Sequence, residues 1–336
     1  MPIKRLAWIL FIIIPVFVIL ISLSIGRFFV PPEEIFRSFF SKFVQGDGST
    51  SVYETIINRV RIPRILSAFL VGGSLSLSGA AYQGIFRNPM VSPDILGAAA
   101  GSGFGAAVAI LLSLNVFMIQ VSSFIFGLIA VLITYSLSTV LSRKNDMTLT
   151  MVLTGMVVST MFSSFISLTK YVADPNSKLP AITFWLMGSL SSVSQKDILI
   201  VIFPMAAGMI PLFLLRWKIN ILSFGEEEAR SMGISTNLLR MIIIIATTLL
   251  TASSISICGM IGWVGLIIPH VARFIVGPDY KILVPASTII GATFLLIVDD
   301  IARCATSVEI PLGILTAIIG GPFFLYLLMK GRKVWS

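Results

Sequence analysis

The chain has few of the side chains from which catalytic and metal sites are usually built. It contains one histidine, His270, and two cysteines, Cys258 and Cys304, among 336 residues. The two cysteines lie within or beside apolar stretches and show neither a disulfide framework nor the ligand spacing of a zinc site, and the histidine has no companion. The sequence therefore predicts no metal site and no cofactor, and it favours a structural role for His270.

Recognisable catalytic motifs are also missing. The sequence has no nucleophile elbow and no Gly-Lys-Ser or Gly-Lys-Thr phosphate loop. The glycines at 97, 101 and 105 are not followed by a lysine, and their four-residue spacing is typical of closely packed membrane helices. Charged residues avoid the middles of the apolar segments, where ion-coupled carriers usually place some. We expect no catalytic residues, and a transporter of this kind would take its energy from another subunit.

Charged residues are scarce, whereas long apolar segments are abundant. Only 12% of residues are charged, 56% are hydrophobic, and the mean hydropathy is +0.99. A soluble globular protein of this length does not normally have such a composition. We therefore predict an all-α polytopic membrane protein, with residues 1–336 forming a single transmembrane domain. The net charge of +9 is then a matter of loops and lipid headgroups rather than of nucleic acid.

About ten transmembrane helices are predicted from the apolar segments, since a span needs about 20 residues. The expected spans are 6–29, 65–85, 95–114, 116–141, 148–168, 198–215, 241–258, 259–273, 283–298 and 309–329. A further apolar stretch, 179–190, is too short to cross and is expected to form an external half-helix packed against the bundle. The polar stretch 31–58 is interpreted as an external loop with a short helix near Pro32.

The distribution of Lys and Arg predicts the orientation. An even number of spans places both termini on one side, and the loops on that side, with Arg143 and Lys144 among them, carry the larger excess of basic residues. By the positive-inside rule this side is the cytoplasm. We therefore expect a multi-pass protein of a bacterial or archaeal cytoplasmic membrane, with both termini inside.

The segment between the sixth and seventh spans is polar and predicts a short cytoplasmic helix. Ser223, followed three residues later by Glu226, has the pattern of a capping box, which places the helix start there. Three successive glutamates fill the first turn, Arg230 can pair with Glu226, and Gly233 can end the helix in the left-handed conformation. A helix of about nine residues cannot cross a bilayer. It is either a solvated turn or a docking element for a soluble partner.

Several ordered motifs, together covering nearly the whole chain, carry a resemblance to a known family. They are Arg61-Ile-Pro-Arg64, 72–83, Arg87-Asn-Pro-Met90, Pro93-Asp-Ile-Leu-Gly97, Trp185-Leu-Met-Gly188, 225–233, 262–273 and Glu309-Ile-Pro-Leu-Gly313. This set resembles the permease subunits of bacterial ABC importers for iron-siderophore complexes, heme and cobalamin. The resemblance implies a pore of two permease subunits, a homodimer or a pair of related chains. It also implies an ATP-hydrolysing partner beneath the pore and an extracytoplasmic binding protein that delivers the ligand.

The resemblance also assigns roles to residues. The coupling segment that seats in the ATPase corresponds to Ser223, Gly225, Glu226, Glu227, Glu228, Ala229, Arg230 and Gly233. Docking of the binding protein corresponds to Arg61, Arg64 and Arg303, although from the residues alone these arginines could simply anchor helix ends. The cytoplasmic gate corresponds to Thr148, Leu149 and Thr150. Asp299 matches a family acid, whereas Asp300 is a second carboxylate that could pair with Arg303 or weaken the positive docking surface.

The favoured function is import of an iron(III)-siderophore complex, with cobalamin and heme as alternatives in the same family. Two hypotheses come from other classes. An ion-coupled secondary transporter would work without an ATPase. An integral membrane enzyme would need a polar cluster at one depth of the bilayer, for which Asp299, Asp300, Arg303 and Glu309 are the candidates.

Overall fold

The computed structural model describes residues 2–44, 52–142 and 147–331, and within these ranges it is helical and contains no strand. The helices are α1 Pro2–Ser24, α2 Pro32–Val44, α3 Val52–Ile56, α4 Ile62–Ile85, α5 Ala98–Leu111, α6 Val116–Leu141, α7 Met147–Val172, α8 Lys178–Leu186, α9 Gln195–Leu222, α10 Glu226–Ser231, α11 Thr236–Cys258, α12 Val264–Val276, α13 Tyr280–Cys304 and α14 Leu312–Gly331. The prediction of an all-α fold is confirmed. Arg143 and Lys144 lie outside the described residues.

Every predicted span contains a helix. In the part of the chain that the structure describes, six helices are long and apolar enough to cross a membrane: the continuous helix Val52–Ile85, and α6, α7, α9, α11 and α13. Shorter apolar helices occupy the other four segments, at Ile9–Ser24, Ala98–Leu111, Val264–Val276 and Leu312–Leu327. The second span starts earlier than predicted, because a π-helical turn, Ile57–Arg61, joins α3 to α4 without a break.

The helix α4 runs through the centre of the bundle, because small residues make up much of its sequence. In its most apolar window 83% of residues are buried, against 22% in α6 and 28% in α7. A Cβ atom at Gly79 would lie 1.8 Å from the carbonyl oxygen of Gly265 on α12. One at Gly72 would lie 2.3 Å from the carbonyl oxygen of Gly291 on α13. Small residues are what let helix backbones approach so closely inside a membrane.

The turn between α4 and α5 packs into the bundle. A 3-10 turn, Pro93–Leu96, lies against α7, where a Cβ atom at Gly155 would meet the carbonyl oxygen of Ile95 at 2.1 Å. The Thr134 hydroxyl on α6 donates to the Leu96 carbonyl at 3.0 Å, so this buried backbone has a partner. Gly97, with φ of 89°, is the N-cap of α5. The third span is therefore shorter than predicted.

The predicted half-helix is present as α8. Its end is tied to two other helices through backbone hydrogen bonds. The Leu312 and Gly313 amides donate to the carbonyls of Gly188 and Met187 at 2.9 and 3.0 Å. The Ser189 amide donates to the Cys258 carbonyl at 2.8 Å. Irregular backbone is tolerated at membrane depth only where protein groups satisfy it in this way.

The bundle has two ends that matter for function. Ile219, near the end of α9, lies against Gly84 near the end of α4, so α10 and the end of α4 share one end of the bundle. Arg64, at the start of α4, lies at the opposite end. We call these the α10 end and the Arg64 end.

Candidate functional site

The helix α10 is shorter than predicted and starts differently. It spans Glu226–Ser231, with Gly225 as its N-cap and no side-chain cap bond. The capping-box prediction at Ser223 is wrong, because α9 continues to Leu222 and Ser223 ends that helix instead. The Ser223 hydroxyl donates to the Asn220 carbonyl at 2.7 Å. Ser223 therefore belongs to the last turn of α9 and does not cap α10.

The end of α10 follows the prediction. Gly233 is left-handed, with φ of 76°, and its amide donates to the Arg230 carbonyl at 2.9 Å. The Ile234 amide donates to the Ala229 carbonyl at 3.0 Å. Ala229 is fully buried and Ile234 is buried, whereas Glu227, Glu228 and Arg230 are exposed. One side of the short helix is therefore packed on the bundle, and the other is open.

The three glutamates of α10 have different surroundings. Glu226 accepts from Arg230 at 3.4 Å, as predicted, and also forms an ion pair with Arg240 on α11. The Arg240 side chain is only 4% exposed. Glu226 thus connects α10 to the buried Arg240 side chain of α11. Glu227 and Glu228 are exposed, and the Glu228 carboxylate lies close to Gly225.

Arg240 is a functional candidate that sequence reasoning missed. The seventh span is predicted to start at residue 241, but α11 starts at Thr236, so Arg240 lies inside this helix, where it is buried. An arginine within a membrane helix is expected to need an acidic partner, and the glutamates on the adjacent turn supply the nearest carboxylates in sequence. The need of Arg240 for an acidic partner is the sequence signal from which the Glu226–Arg240 pair could have been predicted.

At the Arg64 end, Arg64 holds two carboxylates. Its Nε atom donates to the Asp299 Oδ2 atom at 2.8 Å, and its Nη2 atom donates to Asp299 Oδ1 at 2.9 Å. Its Nη1 and Nη2 atoms donate to the two Glu309 oxygens, each at 3.0 Å. Asp299 is on α13 and Glu309 lies just before α14. The guanidinium therefore bridges three parts of the fold, and Arg64 itself is 7% exposed.

Arg61 and Arg303 are buried in the same region and bind the end of α1. Arg61 donates to the carbonyls of Leu23 and Phe28. Arg303 donates to both the carbonyl and the hydroxyl of Ser22 at 2.7 Å, and it forms an ion pair with Asp300. The Ser22 hydroxyl donates to Asp300 at 2.7 Å. The three arginines come together, and each has internal partners.

The residues predicted to form the gate lie in the first turn of α7. Leu149 is 58% exposed, and Thr148 and Thr150 are half-buried. Farther along α7, Met156, Val157, Thr160, Met161 and Ser164 line an open groove of 330 Å³. The predicted gate is therefore at one end of a stripe of methionine, serine and threonine side chains. Its role stays a prediction.

The sole histidine and the cysteines have structural surroundings. The His270 Nε2 atom lies 2.8 Å from the Pro89 carbonyl and ties α12 to the turn after α4. Cys258 is buried and Cys304 is exposed. Among the described residues, no three His, Cys, Asp or Glu side chains are placed to hold a metal ion.

Known proteins are similar to this chain over most of its length. The model of the FecCD transport family matches residues 12–330. The chain is 39% identical over 313 residues to the molybdate import system permease protein MolB of Haemophilus influenzae, covering 93% of this chain and 92% of that protein. It is 41% identical over 279 residues to a Helicobacter pylori protein named "Probable iron chelatin transport system permease protein", covering 83% and 84%.

A solved structure has the same fold over nearly the whole chain. It is described as an inward-facing conformation of a "metal-chelate type ABC transporter", with a TM-score of 0.84 and 38% sequence identity. The match covers 95% of this chain and 97% of that one. The chain therefore belongs to the FecCD transport family, the multi-pass membrane permease subunits of ABC transporters in which a separate subunit hydrolyses ATP.

Proposed function

We propose that this chain forms the pore of an ATP-driven importer for an iron(III)-siderophore complex. Its partners would be an ATPase, an extracytoplasmic binding protein and a second permease subunit, identical or related. The observation that carries the proposal is α10, a short acidic helix that is packed on the bundle through Ala229 and open on its other side. The iron chelatin relative supports the choice of substrate. The molybdate relative makes molybdate a rival, beside heme and cobalamin.

The α10 end would face the cytoplasm and receive the movement of the ATPase. Glu227 and Glu228 would contact the ATPase, whereas Glu226 would pass the movement to Arg240 and thus to α11. Because α11 packs on α4, α6 and α9, a tilt of α11 would reach the centre of the bundle. The stripe on α7 would line the pathway between two permease subunits, with Thr148, Leu149 and Thr150 at its cytoplasmic end.

The Arg64 end would face the binding protein. Arg61, Arg64 and Arg303 are the proposed docking residues, but their present partners are internal, so docking of glutamates would require these partners to be exchanged. If the arginines gave up these internal partners for glutamates of the binding protein, the contacts that join α1, α4 and α13 would change. Docking would then be coupled to the packing of these three helices.

Reconstitution tests the proposal. The permease, the ATPase and the binding protein from the same gene neighbourhood would be placed in proteoliposomes, and uptake of radiolabelled ferric siderophore, molybdate, heme and cobalamin would be compared. We expect ATP-dependent uptake of the ferric siderophore that requires all three components. Uptake by the permease alone on an ion gradient would instead support a secondary transporter, and ATP-dependent uptake of only another ligand would correct the substrate.

Protease accessibility or reporter fusions at the two termini test the orientation. We expect both termini on the ATPase side. A terminus on the opposite side would contradict the cytoplasmic placement of α10.

A further inference from the structure

Two clefts lie next to each other at the α10 end. One, of 460 Å³, is lined among others by Gln83, Arg273 and Tyr280, and the other, of 580 Å³, is lined by the glutamates of α10 and by Arg240. Both are also lined by Phe224 and Arg87. These two residues therefore stand between the clefts, one from the α9–α10 turn and one from the turn after α4.

Phe224 is a large apolar side chain in a charged neighbourhood. It is 73% exposed, and the clefts around it contain Arg87, Asp279 and the exposed carboxylates of α10. Charged groups at this density are costly in hydrocarbon, so the side chain is not suited to insertion in lipid. An exposed aromatic residue with a polar rim is typical of the anchor of a protein–protein interface.

Arg87 stands on a turn that is held in place. Its φ of 47° is left-handed, a conformation that costs free energy in a residue other than glycine. Two bonds brace the turn. The Asn88 side chain accepts from the Met90 amide at 2.9 Å, and His270 contacts the Pro89 carbonyl. The Arg87 side chain is nevertheless exposed.

We propose that the ATPase subunit binds a composite surface in which Phe224 is the apolar anchor and Arg87 pairs with a carboxylate of the ATPase. This inference rests on the proposed function and extends the interface beyond α10. The ATPase would present an apolar pocket for Phe224, a basic group for Glu227 and Glu228, and an acidic group for Arg87. We assign this surface to the ATPase because it is continuous with α10. Phe224 is followed directly by Gly225, the N-cap of α10.

The composite surface provides a second route for movement. The Glu226–Arg240 pair reaches α11, whereas the turn at Arg87 is the direct continuation of α4, the central helix. An ATPase that binds both α10 and the turn at Arg87 would move α4 and α11 together. Binding to α10 alone would act directly on α9 and α11, which precede and follow it in the chain, and would reach α4 only through them.

Binding of the purified ATPase to the full-length permease in lipid nanodiscs tests the proposal. Phe224→Ala should weaken binding about tenfold or more, and Arg87→Ala by several fold, as for anchor and paired residues of interfaces. Phe274→Ala is the matched control, since Phe274 is 68% exposed but lines neither cleft. We expect its affinity to be unchanged. Thermal unfolding of each variant would confirm that the permease is folded.

A photo-crosslinking amino acid at position 224 gives an independent measurement. It should form an adduct with the ATPase, and the same group at position 274 should not. Adducts with lipid alone, or wild-type affinity in both Phe224→Ala and Arg87→Ala, would overturn the inference. The double variant Glu227→Gln with Glu228→Gln distinguishes failure of this inference from failure of the proposed function. If it weakens binding while the Phe224 and Arg87 variants do not, only the inference fails, whereas if none has an effect, the proposed function fails as well.

Discussion

The two charged clusters at opposite ends of the bundle look similar in the sequence but differ in structure. At the Arg64 end, three arginines are buried and bound to carboxylates, carbonyls and a hydroxyl of the same chain. At the α10 end, two glutamates and Arg230 are exposed, and Glu226 is paired with the buried Arg240. Both clusters were predicted as contact surfaces. The comparison shows that one is largely used by the fold itself, whereas the other is available to a partner.

Burial explains why the two clusters should respond differently to mutation. Removing one member of a buried ion pair leaves an uncompensated charge, at a cost of about 3–5 kcal/mol. An exposed pair contributes about 0–1 kcal/mol, since water solvates both groups whether or not they meet. Variants at the Arg64 end should therefore change the free energy of unfolding most, and variants of outward groups at the α10 end should change partner binding instead.

Replacing Arg64 with alanine should have the largest effect on stability. The change leaves the Asp299 carboxylate buried without its main cation, and we expect a loss of about 3–5 kcal/mol in the free energy of unfolding. Unfolding of the purified permease in detergent, followed by tryptophan fluorescence, measures it. Arg59→Ala is the matched control, because Arg59 is exposed, and its effect should stay within about 0.5 kcal/mol. An Arg64→Ala variant as stable as the control, but with weaker affinity for the binding protein, would show docking to be the main role.

Replacing Glu226 with glutamine should have an intermediate effect. Arg240 then loses its carboxylate partner, at a cost of about 1.5–3 kcal/mol for a hydrogen bond to a charged group, and with Glu226 29% exposed we expect the lower value. Uptake should fall more than ATPase binding does. The exchange Glu226→Arg with Arg240→Glu should restore part of the uptake. If Glu226→Gln and Glu227→Gln behave alike in both assays, the buried pair does not transmit movement.

A smaller effect is expected from Ser22→Ala. The hydroxyl that Arg303 and Asp300 share is lost, but the ion pair between those two residues remains, so the cost should be about 1 kcal/mol. Ser24→Ala, near the same end of α1, is the control and should be neutral. Equal stability of the two variants would mean that water replaces the Ser22 hydroxyl.

The smallest effect on stability is expected from Glu227→Gln combined with Glu228→Gln. Both side chains are exposed, so the free energy of unfolding should change by less than about 0.5 kcal/mol. Affinity for the ATPase should nevertheless fall, and its dependence on salt should become weaker because charge has been removed. A large loss of stability would contradict the contrast between the two ends.

Local patterns predicted some features of α10 and failed on others. The Arg230–Glu226 pair and the stop at Gly233 depend on residues within one or two turns, and both are present. The capping box at Ser223 used the same kind of local reasoning, yet α9 extends to Leu222 and takes the serine for its own last turn. Ser223 could either cap the next helix or end the preceding one, and the pattern of a single segment does not determine which of the two forms.

The sequence by itself determined that the chain enters a membrane, that it is helical, and which segments are apolar helices. Hydrocarbon requires each spanning segment to satisfy its own backbone and to be apolar along about 20 residues, and both requirements are local. Only the tertiary structure decided which charges are internal. The partners of Arg64 lie 235 and 245 residues away in sequence, so no local pattern specifies them. The same holds for the turn before α5, which enters the bundle because glycines on α7 and α12 leave room for it.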